Sequence, residues 1–256
     1  MKKILFVLAF LSCGTAKADC AASGLYFYPT TNEVNTNSLF YIEGYYMDQE
    51  FIRKIGSKYT VKLVSKNESI ELENIDLYEG MMHLTIVSLQ PIKELTKDES
   101  YTLKIYDKEE NEKLVPKRYE KHSREWTEVK YKATKTADKT TPQLIEMPNF
   151  NNSTFTPFGC GPAKYANFNC KIEDESEVLV LIKLKNLKTE EINIYPVLFQ
   201  DEMIQIGHGM CSGPFTFESD VQYVASFSMM DICGNSVEKW TGWMKLTNPN
   251  EVGYSY

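Results

Sequence analysis

The sequence predicts an all-β protein of two β-sandwich domains in tandem. Three observations in the 256-residue chain support this prediction. Short runs alternate apolar and polar residues along most of its length, a polar proline-ended segment lies near the middle, and each half carries the same spaced pair of an apolar residue and a tyrosine. Alternation with a period of two is typical of strands that bury one face and expose the other.

The alternating runs place the predicted strands. In the first half they cover residues 59–64, 82–87 and 101–106, and in the second half residues 177–184, 191–199, 214–217, 221–230 and 236–246. β-Branched and aromatic residues are enriched in these runs, as a pleated, half-buried surface favours. Two short segments, 48–55 and 118–124, could be helical, and residues 148–176 are expected to be irregular.

The segment from residue 135 to residue 142 is polar, lacks large apolar side chains and ends in Pro142, which has no N–H to give to a sheet. It predicts a linker between a first domain of residues 19–134 and a second of residues 143–256. Both lengths are ordinary for a single domain.

The two halves share a spacing that predicts a tyrosine corner in each. Leu95 precedes Tyr101 by six residues and Phe217 precedes Tyr223 by six, both across a polar turn and before an alternating strand. In such a corner the tyrosine hydroxyl bonds backbone a few residues upstream. The offset between the copies, 122 residues, is about one domain long, which favours an internal repeat.

The first 18 residues predict a secretory signal peptide. Lys2 and Lys3 precede an uncharged apolar run over residues 4–11, and Ala16 and Ala18 supply the small residues of a cleavage site. The run is too short for a retained transmembrane helix, which needs about 20 residues. An alternative is acylation of Cys13 as in a bacterial lipoprotein. The chain is therefore expected to be exported and periplasmic, outer-surface or secreted.

Charge argues against some partners. The predicted leader carries three lysines, so its removal changes the formal net charge from −7 to −10. An acidic chain without a basic stripe repels phosphate backbones, so nucleic acid is not an expected partner. No later segment is apolar enough to predict a membrane span, so none is expected in the mature chain.

The chain resembles the bacterial immunoglobulin-like and fibronectin-III-like modules of secreted and surface proteins. The resemblance lies in the proline-to-asparagine segment of residues 29–38, the loop of residues 91–101 before a strand, the segment 138–142, and the aspartate-glycine-asparagine turn of residues 231–235. It covers most of the mature chain and implies a fold rather than a ligand. The long segment of residues 106–124 and the cysteine-bearing stretch after Pro148 depart from it.

The resemblance also implies disulfides, which export would permit. In such a sandwich Cys211 would open the fifth strand and Cys233 would lie in the last hairpin, so the two are expected to pair. Cys160 and Cys170 flank one loop and are expected to pair locally. Cys20 is then left over.

The sequence predicts no catalytic site, no metal site and no cofactor. His208 and Cys211 have a spacing that zinc uses, and Cys233 could join them, but no fourth ligand is evident. The paired acids at 109–110 and 190–191 point to opposite faces of a strand, which argues against a glycosidase pair. No phosphate-binding glycine loop and no serine nucleophile motif occurs.

Aromatic residues give the candidate binding site. Rings occur on both faces of two early strands, and a long loop rich in asparagine, glycine and aromatic residues follows the linker. One face of each strand must be core, so the other exposes tyrosines, which contact proteins and sugars well. Alternatively, a loop or the other domain covers them. The candidate binding residues are Tyr26, Tyr28, Tyr41, Tyr45, Phe158 and Tyr165.

These observations predict an exported, non-enzymatic binding or structural module whose partner is a protein or glycan of the cell envelope. One alternative is a periplasmic two-sandwich chaperone for pilus subunits, against which the acidity and the lack of that class's basic motif argue. A second is a small secreted hydrolase, for which two sandwiches leave little length.

Overall fold

The protein is all-β. The computed structural model describes residues 23–109, 111–120, 123–237 and 239–252, and the predicted leader, Cys13 and Cys20 lie outside them. Within these ranges the only α-helix is one turn, α1 (Gln49–Ile52), which follows a 3₁₀ turn and contacts strand residues of the first half. None of the described helical segments has the length or the apolar character to cross a membrane.

The first half consists of strands, which pair antiparallel in every case but one, and the helical turn. The elements are β1 (Gly24–Tyr28), β2 (Glu33–Asn35), β3 (Phe40–Tyr45), a 3₁₀ turn (Tyr46–Asp48), α1 (Gln49–Ile52), β4 (Tyr59–Val64), β5 (Ser69–Glu79), β6 (Leu84–Pro91), β7 (Ser100–Asp107), β8 (Glu112–Leu114), β9 (Lys117–Glu120), β10 (Glu125–Glu128) and β11 (Lys130–Lys135).

One continuous path of strands folds around the first-half core. Its order is β1-β3-β6-β5-β4-β7-β11-β2, with β8 beside β7 and with β9 and β10 forming a separate hairpin. Strand β5 changes partner along its length, because it pairs with β4 up to Leu72 and with β6 from there, with a register shift between Asn74 and Asp76. The core of this half comes entirely from residues 27–133.

The second half has two sheets. Its elements are β12 (Gln143–Thr156), β13 (Ala163–Glu173), β14 (Val178–Asn186), β15 (Ile192–Leu198), β16 (Met203–His208), β17 (Tyr223–Asp231), β18 (Met244–Lys245) and a 3₁₀ turn (Pro249–Glu251). The sheet orders are β12-β13-β16 and β15-β14-β17-β18, and all pairs are antiparallel.

The core of the second half continues into the first half. Its buried cluster contains Phe168, Ile182 and Phe227, and also four first-half side chains: Leu39, Tyr41, Leu84 and Ile86. Because these four residues come from the outer face of the first-half sheet, burying them joins the two halves through apolar contact. Such burial contributes roughly 25 cal/mol per Å² of apolar surface removed from water.

Polar contacts also join the halves. The Glu177 carboxylate accepts hydrogen bonds from the backbone N–H groups of Thr30 and Thr31, each at 2.8 Å from Oε1. The backbone N–H of Leu39 donates to the Ile232 carbonyl at 2.7 Å. In the predicted linker, Asp138 is buried and accepts a bond from the Ser176 hydroxyl at 2.7 Å. The segment between the halves is therefore held against both of them.

Both predicted tyrosine corners are present. The hydroxyl of Tyr101 accepts a hydrogen bond from the Thr96 N–H, and that of Tyr223 accepts one from the Glu218 N–H, both at 2.9 Å. Both tyrosines are buried. The repeat of an apolar residue and a tyrosine therefore marks the same local structure twice.

Several sequence predictions of elements were wrong. Residues 118–124 begin in strand β9 rather than a helix, whereas 48–55 does contain α1. The stretch expected to be irregular, 148–176, is largely the hairpin of β12 and β13, whose register shifts at three places. Those bulges interrupt the alternation of apolar and polar residues, so the sequence of this hairpin does not show the period of two that is typical of strands. Residues 214–217 form no strand, and among the described residues of 236–246 only Met244 and Lys245 form a strand, β18.

Candidate functional site

The candidate site begins on the outer face of β1 and β3. Side chains alternate along β3, so Phe40 and Ile42 enter the first-half core while Tyr41 and Glu43 point to the opposite face. On β1, Phe27 enters the same core. Tyr26 pairs with Glu43 across the two strands. This outer face is partly covered by the second half and partly open.

The open part is the floor of a cleft of about 1000 Å³ between the two halves. The first half contributes residues of β1, β3, β6 and the β9–β10 hairpin, and the second half contributes residues of β13, β14, β15 and β16. A ligand-binding cavity of this size lies at the upper end of the usual range of about 300–1,000 Å³. The cleft is therefore formed jointly by the two halves.

The β9–β10 hairpin carries two exposed rings of the cleft. Tyr119 and Trp126 face each other across the two strands with ring centroids 5.6 Å apart. They are 46% and 65% exposed, although both are large aromatic side chains. Exposed aromatic groups that cluster in a concave site mark a contact surface for a ligand.

Arg118 fixes the hairpin over the cleft. Its guanidinium donates hydrogen bonds to the carbonyl oxygens of Phe27, Pro29 and Thr30, at 3.0, 2.6 and 2.6 Å. It also lies over the ring of Tyr131, 5.8 Å from the centroid. Because the 29–31 turn is in turn held by Glu177 of the second half, the hairpin, the turn and the second half form one bonded unit.

A carboxyl group lies on the floor of the cleft. Glu43 accepts a hydrogen bond from the Tyr195 hydroxyl at 2.9 Å and from the Tyr28 hydroxyl at 3.2 Å. Burial raises the pKa of Glu43, and the two hydroxyl bonds oppose that shift. Burial and the neighbouring Glu43 raise the pKa values of both tyrosines. Perturbed titratable groups in a cleft are typical of functional sites.

A smaller cavity of about 240 Å³ continues the cleft along the second half. It shares Tyr165, Leu198, Gln200 and Gln205 with the larger one and extends to Met203. The combined site is therefore elongated.

The structure separates the six predicted binding residues. Tyr26, Tyr28 and Tyr165 line the cleft, and Tyr26 is 54% exposed. Tyr41 is 1% exposed and packs in the shared core, so its assignment to a surface contact was wrong, because the second half covers it. Tyr45 is half-buried and stacks on Tyr26, with centroids 5.6 Å apart. Phe158 is exposed but lies outside the cleft.

Four residues that line the cleft were not predicted from the sequence, namely Glu43, Tyr119, Trp126 and Tyr195. The segment that holds Tyr119 and Trp126 carried one usable signal, namely two large aromatic residues within an otherwise charged stretch. Glu43 also had a signal, since it stands among apolar and aromatic residues of an early strand.

The predicted disulfide between Cys160 and Cys170 was wrong, because both thiols are free. Cys160 lies in the turn between β12 and β13, whereas Cys170 lies seven residues beyond the start of β13 at Ala163. At about 3.3 Å per residue the strand separates them by roughly 23 Å. A disulfide needs Cα atoms about 4.4–6.8 Å apart.

The predicted disulfide between Cys211 and Cys233 was also wrong, because Cys233 is free and buried. Cys211 follows β16 instead of opening it, at the end where His208 pairs with Lys164 near the start of β13. Ile232, beside Cys233, bonds Glu177 after the far end of β13. The two cysteines thus follow strands of different sheets, β16 and β17, and lie near opposite ends of β13. Cys211 is disulfide-bonded.

Carboxyl groups cluster where the linker meets the second half. Ligand atoms of Asp138, Asp174 and Glu175 lie within 4.8 Å of one another, and those of Asp138, Asp231 and Cys233 form a second such group. Burial raises the pKa of Asp174 to about 6, and the charges of Asp231, Asp138 and Glu175 act in the same direction. The neighbours of the Cys233 thiol in these groups are therefore the carboxyl groups of Asp138 and Asp231.

Comparisons with known proteins assign no family to the chain. No family model matches it, and no curated protein matches it. Solved structures with some likeness include dimeric latent PorU from Porphyromonas gingivalis, with 15% identity, a TM-score of 0.30, and coverage of 89% of this chain and 19% of that one.

Two further structures have a similar degree of likeness. Pullulanase from Anoxybacillus sp. LM18-11 has 10% identity and a TM-score of 0.24, covering 85% of this chain and 25% of that one. A DUF4785 family protein from Legionella pneumophila has 8% identity and a TM-score of 0.23, covering 90% and 58%. The chain thus spans less than two thirds of each of these proteins, and the low scores carry no functional argument.

Proposed function

We propose that this chain is an exported, non-enzymatic binding module of the cell envelope. In this proposal two immunoglobulin-like β-sandwiches in tandem form one binding cleft between them. The observation that carries the proposal is the convergence of exposed aromatic rings from two separate segments of the first half, β1 and the β9–β10 hairpin, in one cleft of about 1000 Å³. Tyr26 was singled out from the sequence, and Tyr119 and Trp126 join it there.

The strand orders support the two-sandwich part of the proposal. Sheets of three and four antiparallel strands enclose the second-half core, and each half has one tyrosine corner. Such corners occur in immunoglobulin-like sandwiches. The joint core and the Glu177 contacts hold the halves together, so the cleft is preformed, which reduces the entropy cost of binding.

The chemistry of Glu43 supports a binding role rather than a catalytic one. Both of its carboxyl oxygens accept bonds from tyrosine hydroxyls of the protein, which places it in a fixed network. A general acid must deliver its proton to a substrate atom within hydrogen-bond reach. We therefore expect no turnover in an activity screen with glycoside, ester and peptide substrates, with or without a chelator. Turnover that Glu43→Gln abolishes would support the hydrolase alternative.

Binding to the envelope tests the proposal directly. The labelled mature chain is titrated onto the envelope fraction of its source cells, and Trp126→Ala is compared with Trp243→Ala. Trp243 is a matched control because it is also exposed, at 48%, and does not line the cleft. Truncating a central aromatic contact costs about 2 kcal/mol or more, so Trp126→Ala should raise Kd by at least about tenfold.

Two outcomes contradict the proposal. If both tryptophan variants bind like the unchanged chain, the cleft is not the binding site. If the chain co-purifies with a pilin-like subunit in proportion and holds it against aggregation, the chaperone alternative replaces the proposal.

A further inference from the structure

We infer that the ligand of the cleft is an uncharged glycan, held by stacking on Tyr26, Tyr119 and Trp126. This inference rests on the proposed function, because it names the ligand class of the same cleft. Four observations carry it. Three aromatic rings are exposed in the cleft, polar side chains line the same cleft, its positive and negative residues are equal in number, and two neighbouring strand edges are obstructed.

The rings are exposed where a sugar ring could lie flat on them. Tyr26, Tyr119 and Trp126 are 54%, 46% and 65% exposed and share one cleft. A pyranose has faces of C–H groups and a rim of hydroxyls. Tyrosine and tryptophan match it because each has an apolar face and a polar tip.

Side-chain hydrogen-bonding groups lie beside the rings. The carboxyl of Glu43 and the amides of Gln200 and Gln205 line the same cleft. Gln205 Nε2 donates to Asn167 Oδ1 at 3.2 Å, which orients its amide. Carboxyl oxygens have further lone pairs, and amides offer both donors and acceptors. The three groups can therefore accept hydrogen bonds from sugar hydroxyls and also donate to them. Gln200 and Gln205 also line the adjoining cavity, which gives the elongated site that a chain of sugars needs.

The charges of the cleft cancel. Its charged residues are Lys117, Arg118, Glu43 and Glu120, two of each sign. Arg118 is moreover engaged with three backbone carbonyls. A site with balanced charge gives neither an anionic nor a cationic polymer an electrostatic advantage, so charge complementarity favours a neutral ligand.

Two of the strand edges at the cleft, those of β1 and β15, argue against an extended peptide. A peptide could add as a strand to β1 or β15, which in the described part of the chain pair only with β3 and β14. Proline at position 196 has no N–H to donate from β15. On β1, the Arg118 guanidinium already occupies the carbonyl of Phe27. Both edges are thus blunted against strand addition.

The experiment treats the envelope fraction before the labelled mature chain is added. One portion is oxidised with periodate, which cleaves vicinal diols of sugars, a second is digested with protease, and a third is left untreated. We expect binding to fall at least about tenfold after periodate, whatever the protease does. Binding that survives periodate overturns the glycan inference, and loss with protease alone identifies a protein ligand.

Salt tests the uncharged part of the inference. Binding of a neutral glycan should change by less than about twofold between about 0.05 and 0.5 M NaCl, since screening acts on charged pairs. A decrease of about tenfold overturns the neutral ligand class. The two tryptophan variants distinguish a failure of the glycan inference from a failure of the proposed function. Binding that depends on Trp126 but resists periodate overturns only this inference, whereas binding that does not depend on Trp126 overturns the proposed function.

Discussion

The two tyrosine corners have the same local geometry and different surroundings. In both, the hydroxyl accepts a hydrogen bond at 2.9 Å from the backbone N–H five residues upstream. In the first half the Tyr101 hydroxyl also donates to the Glu68 carboxylate. Within the described residues Tyr223 engages no carboxylate, and its ring packs edge-on against Phe217 with centroids 5.2 Å apart.

Glu68 makes the first corner a small network. Its carboxylate also accepts bonds from the Thr96 hydroxyl and the Lys93 ammonium, both at 2.7 Å. Hydrogen bonds to charged groups contribute about 1.5–3 kcal/mol, whereas neutral ones contribute about 0.5–1.5 kcal/mol. The comparison teaches that one sequence spacing can fix a geometry twice while distant residues decide how strongly each copy is held.

Removing each corner hydroxyl gives the largest difference between the halves. Tyr101→Phe removes the acceptor of the Thr96 N–H and one of the three donors to the Glu68 carboxylate, so it should cost about 2–3 kcal/mol in the free energy of unfolding. Tyr223→Phe loses one neutral bond and should cost about 1 kcal/mol. Urea unfolding of both variants measures these losses. Equal losses would show that Glu68 adds nothing to the first corner.

The charge of Glu68 should make the first corner dependent on pH. The hydrogen bond from Lys93, followed by those from Tyr101 and Thr96, lowers the pKa of Glu68 from 4.5 to about 2. A lowered carboxyl pKa stabilises the fold above the unfolded value and loses that effect as pH falls toward the folded value. Solvent screening limits the contribution of such a pair to about 1 kcal/mol or less.

Glu68→Gln should therefore lower Tm by about 2–4 °C at pH 6 and by progressively less from pH 4.5 down to pH 2. Thermal melts across this range measure the effect. Glu73→Gln is the control, because Glu73 is an exposed residue of β5, the strand that begins directly after Glu68. A Tm difference that stays constant down to pH 2 would contradict the prediction, since it would then arise from packing and not from charge.

The two corners also explain which features could be predicted from the sequence. Tyr101 and its backbone donor Thr96 are five residues apart, so a short window contains the whole motif. The same holds for the alternating strands around Val61 and Leu103. Glu68, in contrast, lies 33 residues before Tyr101, and no local pattern connects the two.

The cleft was predicted only in part for the same reason. The alternation of β1 indicated that Tyr26 and Tyr28 lie on a second face, but not which of the aromatic residues the other half would cover. Tyr195 is 152 residues from Glu43, and only the packing of the two halves brings them together. The wrong disulfides have a related cause, since cysteine spacing does not reveal that a strand separates Cys160 from Cys170.

The pKa of Asp174 is raised, whereas that of Glu68 is lowered. A substitution of Asp174 gives the smallest expected change in stability. Its Oδ1 accepts a bond from the Ser176 N–H at 2.7 Å, but its Oδ2 is buried and has no hydrogen-bond partner. Burial, followed by the charges of Asp231, Asp138 and Glu175, raises its pKa from 3.8 to about 6. A raised carboxyl pKa means that the folded state binds the proton more tightly, so stability falls as pH rises from about 3.8 to about 6.

Asp174→Asn removes this charge and places an amide where the carboxyl oxygens of Asp138 and Glu175 lie within 4.8 Å. The amide can donate to them, so the variant should be more stable by up to about 1 kcal/mol at pH 7. The gain should shrink as the pH falls through about 3.8, because the aspartate is then increasingly protonated in the unfolded state as well as in the folded state. Urea unfolding at pH 7 and pH 3.5 measures it. A variant less stable at pH 7 would show that the amide finds no acceptor there and that the carboxylate is better satisfied than its burial indicates.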